Sequence, residues 1–107
     1  MKRGSIIWVN LEDATPPEFG KTRPGLVISN TDQNAILDTV VILPISTKPP
    51  EIWPLRLNLP IQKGGNHFVI IPGIRQVSKG RLMNVMGQAT PAFLKIAEEA
   101  LWAYLGD

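Results

Sequence analysis

An arginine and a pair of hydroxyl residues stand where two apolar runs of the sequence meet polar segments. Arg23 comes just before the run GLVISN, and Ser46 and Thr47 close the run LDTVVILPIST. If the two runs are antiparallel neighbours in a sheet, these ends meet at one edge. A guanidinium offers a planar fork of donors to phosphoryl oxygens, and a hydroxyl adds an adaptable hydrogen bond. The pattern therefore predicts a phosphate-binding site.

Two other interpretations of these residues stay open. Arg23 could form an ion pair with Glu18 of the preceding loop, in which case the two hydroxyls merely end a strand. Ser46, His67 and Asp38 supply the residue types of a catalytic triad, but no G-x-S-x-G elbow surrounds any serine and their spacing gives no support. His67, at the start of an apolar run, is more typical of a partly buried structural histidine.

The composition excludes several classes of protein. A chain of 107 residues can bury one core, so we expect a single domain over residues 1–107. With no cysteine and one histidine, disulfides, thiol catalysis and zinc–thiolate or histidine-rich metal sites are excluded, which favours chemistry without metal or cofactor. No segment approaches the roughly 20 apolar residues of a membrane helix, and the first residues do not resemble a signal peptide, so we expect a cytoplasmic protein.

Charge is unevenly distributed along the chain. Residues 1–90 carry ten Lys and Arg against six Asp and Glu, a net +4, whereas residues 91–107 carry one against three, a net −2. A basic body of this kind is compatible with an anionic partner such as nucleic acid, although an ordinary solvated surface has similar charge.

Apolar runs predict a series of short strands. They lie at residues 5–10, 25–30, 37–47, 55–59 and 67–72, with a last strand at about 82–87. Between them we expect a long loop at 11–22, a turn at 31–36, an irregular proline-rich segment at 48–54, a glycine-rich turn at 62–66 and a turn or short helix near 77–81. Long loops in small domains are often functional.

The end of the chain predicts one amphipathic helix. Thr90 is a suitable N-cap, Pro91 suits the first helical position and Gly106 can end the helix. Apolar residues recur at helical spacing within it: Phe93, Ile96, Ala97, Ala100, Leu101 and Tyr104. Short strands followed by one packed helix predict a strongly bent antiparallel sheet or a partly open barrel.

Several motifs resemble the PemK/MazF-like toxins of bacterial toxin–antitoxin systems over nearly the whole chain. The segment RGSIIWVNLEDATPPEFGKTRPGLVISN is similar to the opening of that family, with an I-W strand, a loop that ends in R-P and an apolar strand. The segment VVILPIST resembles the next signature, a strand ending in P-x-S/T. The segments QVSKGRL and GQAT resemble later, weaker motifs.

The resemblance implies a fold and an activity. The fold is mainly β with α, a small SH3-like antiparallel barrel of the CcdB/PemK type with a C-terminal helix. The implied protein is a homodimer that cuts single-stranded RNA without metal and is neutralised by a small antitoxin. Matched motif by motif, the catalytic arginine falls on Arg23, the catalytic hydroxyl on Ser46 with Thr47 as a substitute, and the loop glutamate on Glu18.

Further RNA contacts are expected from residues around these positions. Trp53, which lies between prolines in a loop, is suited to stack on a base. The expected RNA-binding residues are Phe19, Lys21, Thr47, Lys48, Trp53, Arg75, Gln76 and Lys79.

The chain departs from the family at one position. Where relatives often have an aspartate immediately before the glutamine at Gln76, this sequence has Arg75. The change removes a carboxylate and adds positive charge where RNA would lie.

Three functions follow from these observations. The first is RNA cleavage by attack of a ribose 2′-OH on the adjacent phosphorus, which needs neither metal nor protein nucleophile. The second is a non-cleaving toxin of the same fold that inhibits a protein such as DNA gyrase, which the residue at Arg75 would favour. The third is a domain that binds nucleic acid non-specifically through its basic surface.

Overall fold

The computed structural model describes residues 1–18, 20–60 and 65–107. It contains seven strands: β1 (Ser5–Asn10), β2 (Thr22–Val27), β3 (Thr39–Ser46), β4 (Arg56–Leu59), β5 (His67–Ile70), β6 (Arg75–Ser78) and β7 (Leu82–Gln88). The two α-helices are α1 (Thr31–Ile36) and α2 (Pro91–Leu105), and single turns of 3-10 helix occur at Ile71–Gly73 and Lys79–Arg81. Of the described helices, neither is long and apolar enough to cross a membrane.

All strand pairs are antiparallel and form one bent sheet. Its order is β4-β5-β3-β2-β1-β7, and β6 also pairs with β3. The sheet bends without closing into a complete barrel, so β7 is the edge strand on one side, and β4 and β6 are edge strands on the other. The predicted SH3-like, PemK-type antiparallel fold with a C-terminal helix is confirmed.

The two faces of the sheet bury separate apolar clusters, because neighbouring side chains on a strand point to opposite faces. Ile6 and Leu43 belong to the cluster under α2, whereas their neighbours Ile7 and Ile42 belong to the cluster on the other face. From Ile42 onward every residue of β3 is buried, which agrees with its nearly continuous apolar sequence.

A 3-10 turn separates β5 from β6 along the same side of β3. Ser46 and Ile45 pair with β5, and Ile42 to Thr39 pair with β6, so the turn adds residues opposite Pro44. The backbone of Gly73 approaches Pro44 so closely that an added Cβ would lie 2.8 Å from two of its ring carbons. A glycine is therefore required where the sheet bends at this point.

Helix α2 has the predicted ends and packs on the sheet. The Thr90 hydroxyl accepts from Phe93 N–H at 3.1 Å, and the Gly106 N–H donates to the carbonyl of Trp102. Phe93, Ala97 and Ala100 are buried, while Ile96 and Tyr104 of the predicted apolar set remain substantially exposed.

Two local predictions were wrong. Residues 31–36 form helix α1 instead of a turn, because the Asn30 side chain accepts from Asp32 N–H and Gln33 N–H and so caps a helix. Residues 75–78 form strand β6 with Val77 buried, so only Lys79–Arg81 is the predicted helical turn. A segment of four residues would not stay extended alone, and pairing with β3 supplies the backbone hydrogen bonds that stabilise it as a strand.

Three strand boundaries also shift. β2 begins at Thr22 instead of residue 25, which places Arg23 within the strand. β3 begins at Thr39, because Leu37 caps the end of α1. β5 ends at Ile70, since the following Pro72 lies in the 3-10 turn. The predicted turn at 62–66 falls partly outside the described residues.

Candidate active site

The loop between β1 and β2 is closed at its base and has a defined shape. The Leu11 N–H donates to the carbonyl of Lys21 at 2.8 Å, and the Leu11 side chain is fully buried. Lys21 has φ 66°, a left-handed conformation that costs a non-glycine residue roughly 1–2 kcal/mol. Further along, Thr15 N–H donates to Glu18 Oε1 at 3.0 Å and Glu18 N–H donates to the Thr15 carbonyl at 2.9 Å. The loop therefore fixes the position of the Glu18 carboxylate.

Arg23 extends from β2 beneath this loop. It pairs with Val9 of β1, is half-buried, and its Nε donates to the carbonyl of Gly20 at 2.9 Å. Arg23, Glu18 and Lys21 line one pocket of about 400 Å³. The other residues that line it are Glu12, Ala14, Pro16 and Gly20. The structure thus brings together one carboxylate and two cations that the sequence predicted as a site.

Ser46 and Thr47 differ in exposure at the end of β3. Ser46 is buried, pairs with Phe68 of β5, and its Oγ accepts from the Lys48 N–H at 3.2 Å. Its hydroxyl proton remains to donate in another direction. Thr47 and Lys48 are exposed.

β2 and β3 are antiparallel neighbours, as the predicted phosphate site requires. Their pairs run from Val27–Ile42 to Gly25–Pro44. If this register continued for two more residues, Arg23 would stand opposite Ser46, and side chains of paired residues point to the same face. The order of the pairs thus directs the arginine and the serine to the same end of the two strands.

A second group of charges joins the β1–β2 loop to β6 and to the 3-10 turn that follows β6. Asp13 Oδ2 lies 3.3 Å from Arg75 Nη2, and Asp13 Oδ1 lies 3.0 Å from Arg81 Nη1. Arg81 Nη1 also donates to the carbonyl of Asn10 at 3.3 Å. The carboxylate missing from the position before Gln76 is therefore replaced near Arg75 by one from the β1–β2 loop. Sequence reasoning missed Asp13 and Arg81. The only signal was that Asp13 is an acidic residue in a loop expected to be functional.

Glu18 and Arg75 line a second pocket of about 310 Å³, which shares Glu18 with the first. Its remaining walls are mostly apolar: Pro17, Pro44, Ile70, Pro72, Gly73 and Ile74. We call this second pocket the proline pocket.

Gln76 and Lys79 lie toward the other end of β3. Gln76 Nε2 donates to Thr39 Oγ1 at 2.8 Å, and the Lys79 N–H donates to the carbonyl of Asp38. Thr39 and Ser46 are the two ends of an eight-residue strand, up to about 23 Å apart at the usual rise per residue.

Trp53 and His67 occupy other surroundings. Trp53 is 54% exposed and shares a groove with Phe93 and Ile96 of α2, whereas Arg23 and Glu18 line a different pocket. His67 pairs with Leu59, and its buried Nδ1 has no hydrogen-bond partner among the described residues. Phe19, the remaining predicted RNA contact, lies outside the described residues. In the described part of the chain, no three His, Asp or Glu side chains are grouped so that they could hold a metal ion.

Comparison with known proteins gives a consistent result. Residues 2–105 match the family model of the PemK-like, MazF-like toxins of type II toxin–antitoxin systems. Endoribonuclease MazF9 of Mycobacterium tuberculosis is 26% identical, with 98% of this chain and 96% of MazF9 covered.

Solved structures share the fold. MazF of Deinococcus radiodurans superposes with a TM-score of 0.87 at 22% identity, covering 100% of this chain and 97% of that one. An endoribonuclease in complex with its cognate antitoxin, from Mycobacterial species, superposes with a TM-score of 0.82 at 24% identity, covering 99% and 95% of the two chains. Since the family model spans nearly all of the sequence, this chain belongs to the PemK-like, MazF-like toxins of type II toxin–antitoxin systems.

Proposed function

We propose that the protein is an endoribonuclease that cuts single-stranded RNA through its own 2′-hydroxyl groups. The observation that carries the proposal is the pocket beneath the β1–β2 loop, where Arg23 and Lys21 face the carboxylate of Glu18. Membership of the toxin family and the similarity to an endoribonuclease support it. The implied site of action is cellular RNA in the cytoplasm.

The reaction requires a base, an anion-stabilising group and a positioned phosphate. The ribose 2′-oxygen forms a bond to phosphorus while the bond from phosphorus to the 5′-oxygen breaks, which gives a 2′,3′-cyclic phosphate and a 5′-OH end. The proton of the 2′-OH passes to a base, and the departing 5′-oxygen takes a proton from water. No metal ion is needed for these steps.

Arg23 is placed to stabilise the charge that develops on the phosphoryl oxygens. Its Nε is directed by the carbonyl of Gly20, so the guanidinium does not have to reorganise during the reaction. An arginine is a poor proton carrier, so its role is electrostatic.

Glu18 is the candidate base and Ser46 the candidate positioning hydroxyl. Glu18 uses Oε1 to accept from Thr15 N–H, which orients the carboxylate toward the pocket it shares with Arg23. Ser46 accepts from the Lys48 N–H, so its own O–H can donate to a phosphoryl oxygen or to the 2′-oxygen. His67 is the alternative base, since it lies next to Phe68, which pairs with Ser46, and its Nδ1 has no partner among the described residues.

We also propose that the protein forms a homodimer through β7. This strand is an edge of the sheet, and Met83, Val85 and Met86 on it are 55%, 60% and 44% exposed. An edge strand with exposed apolar side chains is typical of a pairing surface. A second copy would cover this edge and place two β1–β2 loops in one assembly.

A cognate antitoxin is the remaining proposed partner. Relatives have been solved with theirs, including MazE–MazF of Deinococcus radiodurans. Arg23 and Lys21 in the pocket offer two cations to an acidic antitoxin segment that would compete with RNA.

The proposal is tested with long single-stranded RNA in the presence of EDTA, with the cut ends mapped and their chemistry determined. We expect discrete cuts with 5′-OH ends, and no cut when the scissile position carries 2′-deoxyribose. Cleavage of the deoxy substrate would overturn the mechanism. Intact RNA in all samples would overturn the nuclease activity and direct attention to protein targets such as gyrase.

A further inference from the structure

Apart from Glu18, the residues of the proline pocket have no role in the cleavage steps, yet the pocket adjoins the one that holds Arg23. The two pockets share Glu18, so a strand whose phosphate reaches Arg23 has a neighbouring nucleotide within reach of the second pocket. Pro17, Pro44 and Pro72 supply flat apolar surfaces, and the volume of about 310 Å³ is at the lower end for small-ligand sites. A pocket of this size and character suits a single unstacked base.

Arg75 brings a directed group of donors to this pocket. Its Nη2 is held by Asp13 at 3.3 Å, and the same carboxylate is held by Arg81 at 3.0 Å. The side chain is half-buried, so its guanidinium is oriented before any ligand arrives. Asp13 thus acts as a positioning residue for Arg75.

We infer that the proline pocket is a specificity site for a guanine base next to the scissile phosphate, read by the guanidinium of Arg75. The inference rests on the proposed RNA cleavage and names the substrate feature that the site selects. Arg75 donates to O6 and N7 of the base, and the proline and isoleucine side chains pack against its faces.

Guanine fits the charges of the pocket better than the other bases do. Its O6 and N7 are adjacent acceptors that match an arginine fork, whereas adenine places an amino group beside N7. Uracil alternates acceptors with a donor along its pairing edge. Cytosine has two adjacent acceptors, but guanine also presents N1–H and N2–H donors on a second edge. A donor-bearing edge is favoured on the side of the pocket where the Glu18 carboxylate lies.

The inference is tested by cleavage of an RNA library with randomised sequence, followed by sequencing of the cut ends. Wild-type protein is compared with Arg75→Ala, Arg75→Lys and Asp13→Asn, and with Lys95→Ala as a control that removes an exposed cation on α2. We expect guanine at one fixed position beside the wild-type cuts. In Arg75→Ala the preference for guanine over adenine there falls by roughly 5- to 150-fold, the range for losing one bidentate base contact.

The other variants separate base reading from charge. Arg75→Lys retains the charge but not the planar fork of donors, so its guanine preference is weak compared with that of wild type. Asp13→Asn lowers the preference at that position and leaves preferences elsewhere unchanged, because Asp13 orients Arg75, and Arg81, its other partner, lines neither pocket. Lys95→Ala retains the wild-type profile. A wild-type profile without guanine at any position, or an Arg75→Ala profile equal to that of wild type, would overturn the inference.

A binding measurement keeps the inference testable apart from catalysis. Fluorescence anisotropy is recorded with oligonucleotides that differ in one base, with 2′-deoxyribose at any mapped cut site. Guanine-dependent binding that is lost in Arg75→Ala supports the site even if no RNA is cut. Equal weakening for every sequence, with a shallower dependence on salt, would show that Arg75 contacts a phosphate and would overturn the base assignment. Cutting without any guanine dependence would overturn this inference and leave the nuclease intact.

Discussion

Arg23 Nε donates to the carbonyl of Gly20 at 2.9 Å, so the loop that forms the roof of the pocket also orients the arginine beneath it. The residue that the sequence singled out for its charge thus lies in β2 but is bound to the β1–β2 loop. This contact connects the shape of the loop to the position of the charge that would meet a phosphate.

The first prediction concerns Arg23. Arg23→Ala should lower the rate of RNA cleavage by roughly 10²–10³, the usual loss for one well-placed donor at a developing oxyanion. Arg23→Lys should recover little of the rate, because a point charge replaces a planar fork. Cleavage rates on single-stranded RNA with EDTA measure both effects. Circular dichroism should show a retained fold, and wild-type activity of the alanine variant would move the site elsewhere.

The second prediction separates the two hydroxyls at the end of β3. Ser46→Ala should reduce cleavage by about tenfold or more, because it removes the donor directed toward the end of the strands where Arg23 lies. Thr47→Val keeps the shape of an exposed side chain and should retain the wild-type rate. Rates for both variants are measured on the same RNA. The opposite result, with Thr47→Val impaired and Ser46→Ala active, would assign the catalytic hydroxyl to Thr47.

The third prediction concerns the edge strand β7. Val85→Lys places a charge on a side chain that is 60% exposed at the proposed dimer surface and should give a monomer. Sedimentation velocity at matched concentrations measures the oligomeric state. Trp102→Gln is the control, since Trp102 is 75% exposed on α2 and lines a groove with Ile28 and Val41 to which no residue of β7 contributes. A monomeric wild type, or a Val85→Lys variant that stays dimeric, would refute the assignment of the interface.

The fourth prediction concerns the bend between β5 and β6. Gly73→Ala should lower the free energy of unfolding by about 1–3 kcal/mol, because its Cβ would lie 2.8 Å from the rigid ring of Pro44. Gly80→Ala is the matched control. Its Cβ would meet only Ser78 Oγ at 3.7 Å, so stability should change little. Urea unfolding of both variants provides the comparison, and equal stabilities would mean that the bend can relax.

Local patterns in the sequence were sufficient for the elements whose residues interact mainly with their own neighbours. Helix α2 could be predicted from the N-cap Thr90, from Pro91 and from apolar residues at helical spacing. That apolar face does not depend on which strands it packs against. Strand β1 follows from its β-branched and aromatic residues. The R-P and P-x-S signals also led to Arg23 and Ser46, because both stand at fixed positions beside apolar strands. Both residues can therefore be identified from the sequence without any knowledge of their contacts.

Elements that depend on distant partners could not be obtained in the same way. Strand β6 has four residues and one buried side chain, so its conformation depends on pairing with β3, more than 30 residues earlier. Asp13 carries only the weak signal of an acidic residue in a long loop, and its role arises because the loop brings it to Arg75 and Arg81. The proline pocket likewise unites segments around residues 17, 44 and 72.

Local periodicity and short motifs were enough to identify the main strands, the closing helix, the family, and the cation and hydroxyl at the candidate site. Which charges meet depends on the folded chain. Contacts between residues far apart in the chain, such as Asp13 and Arg75 at a separation of 62 positions, depend on strand register and on the bend of the sheet. Neither leaves a periodic pattern in the chain, so the Arg75–Asp13–Arg81 group and the pocket beside it became visible only in the folded protein.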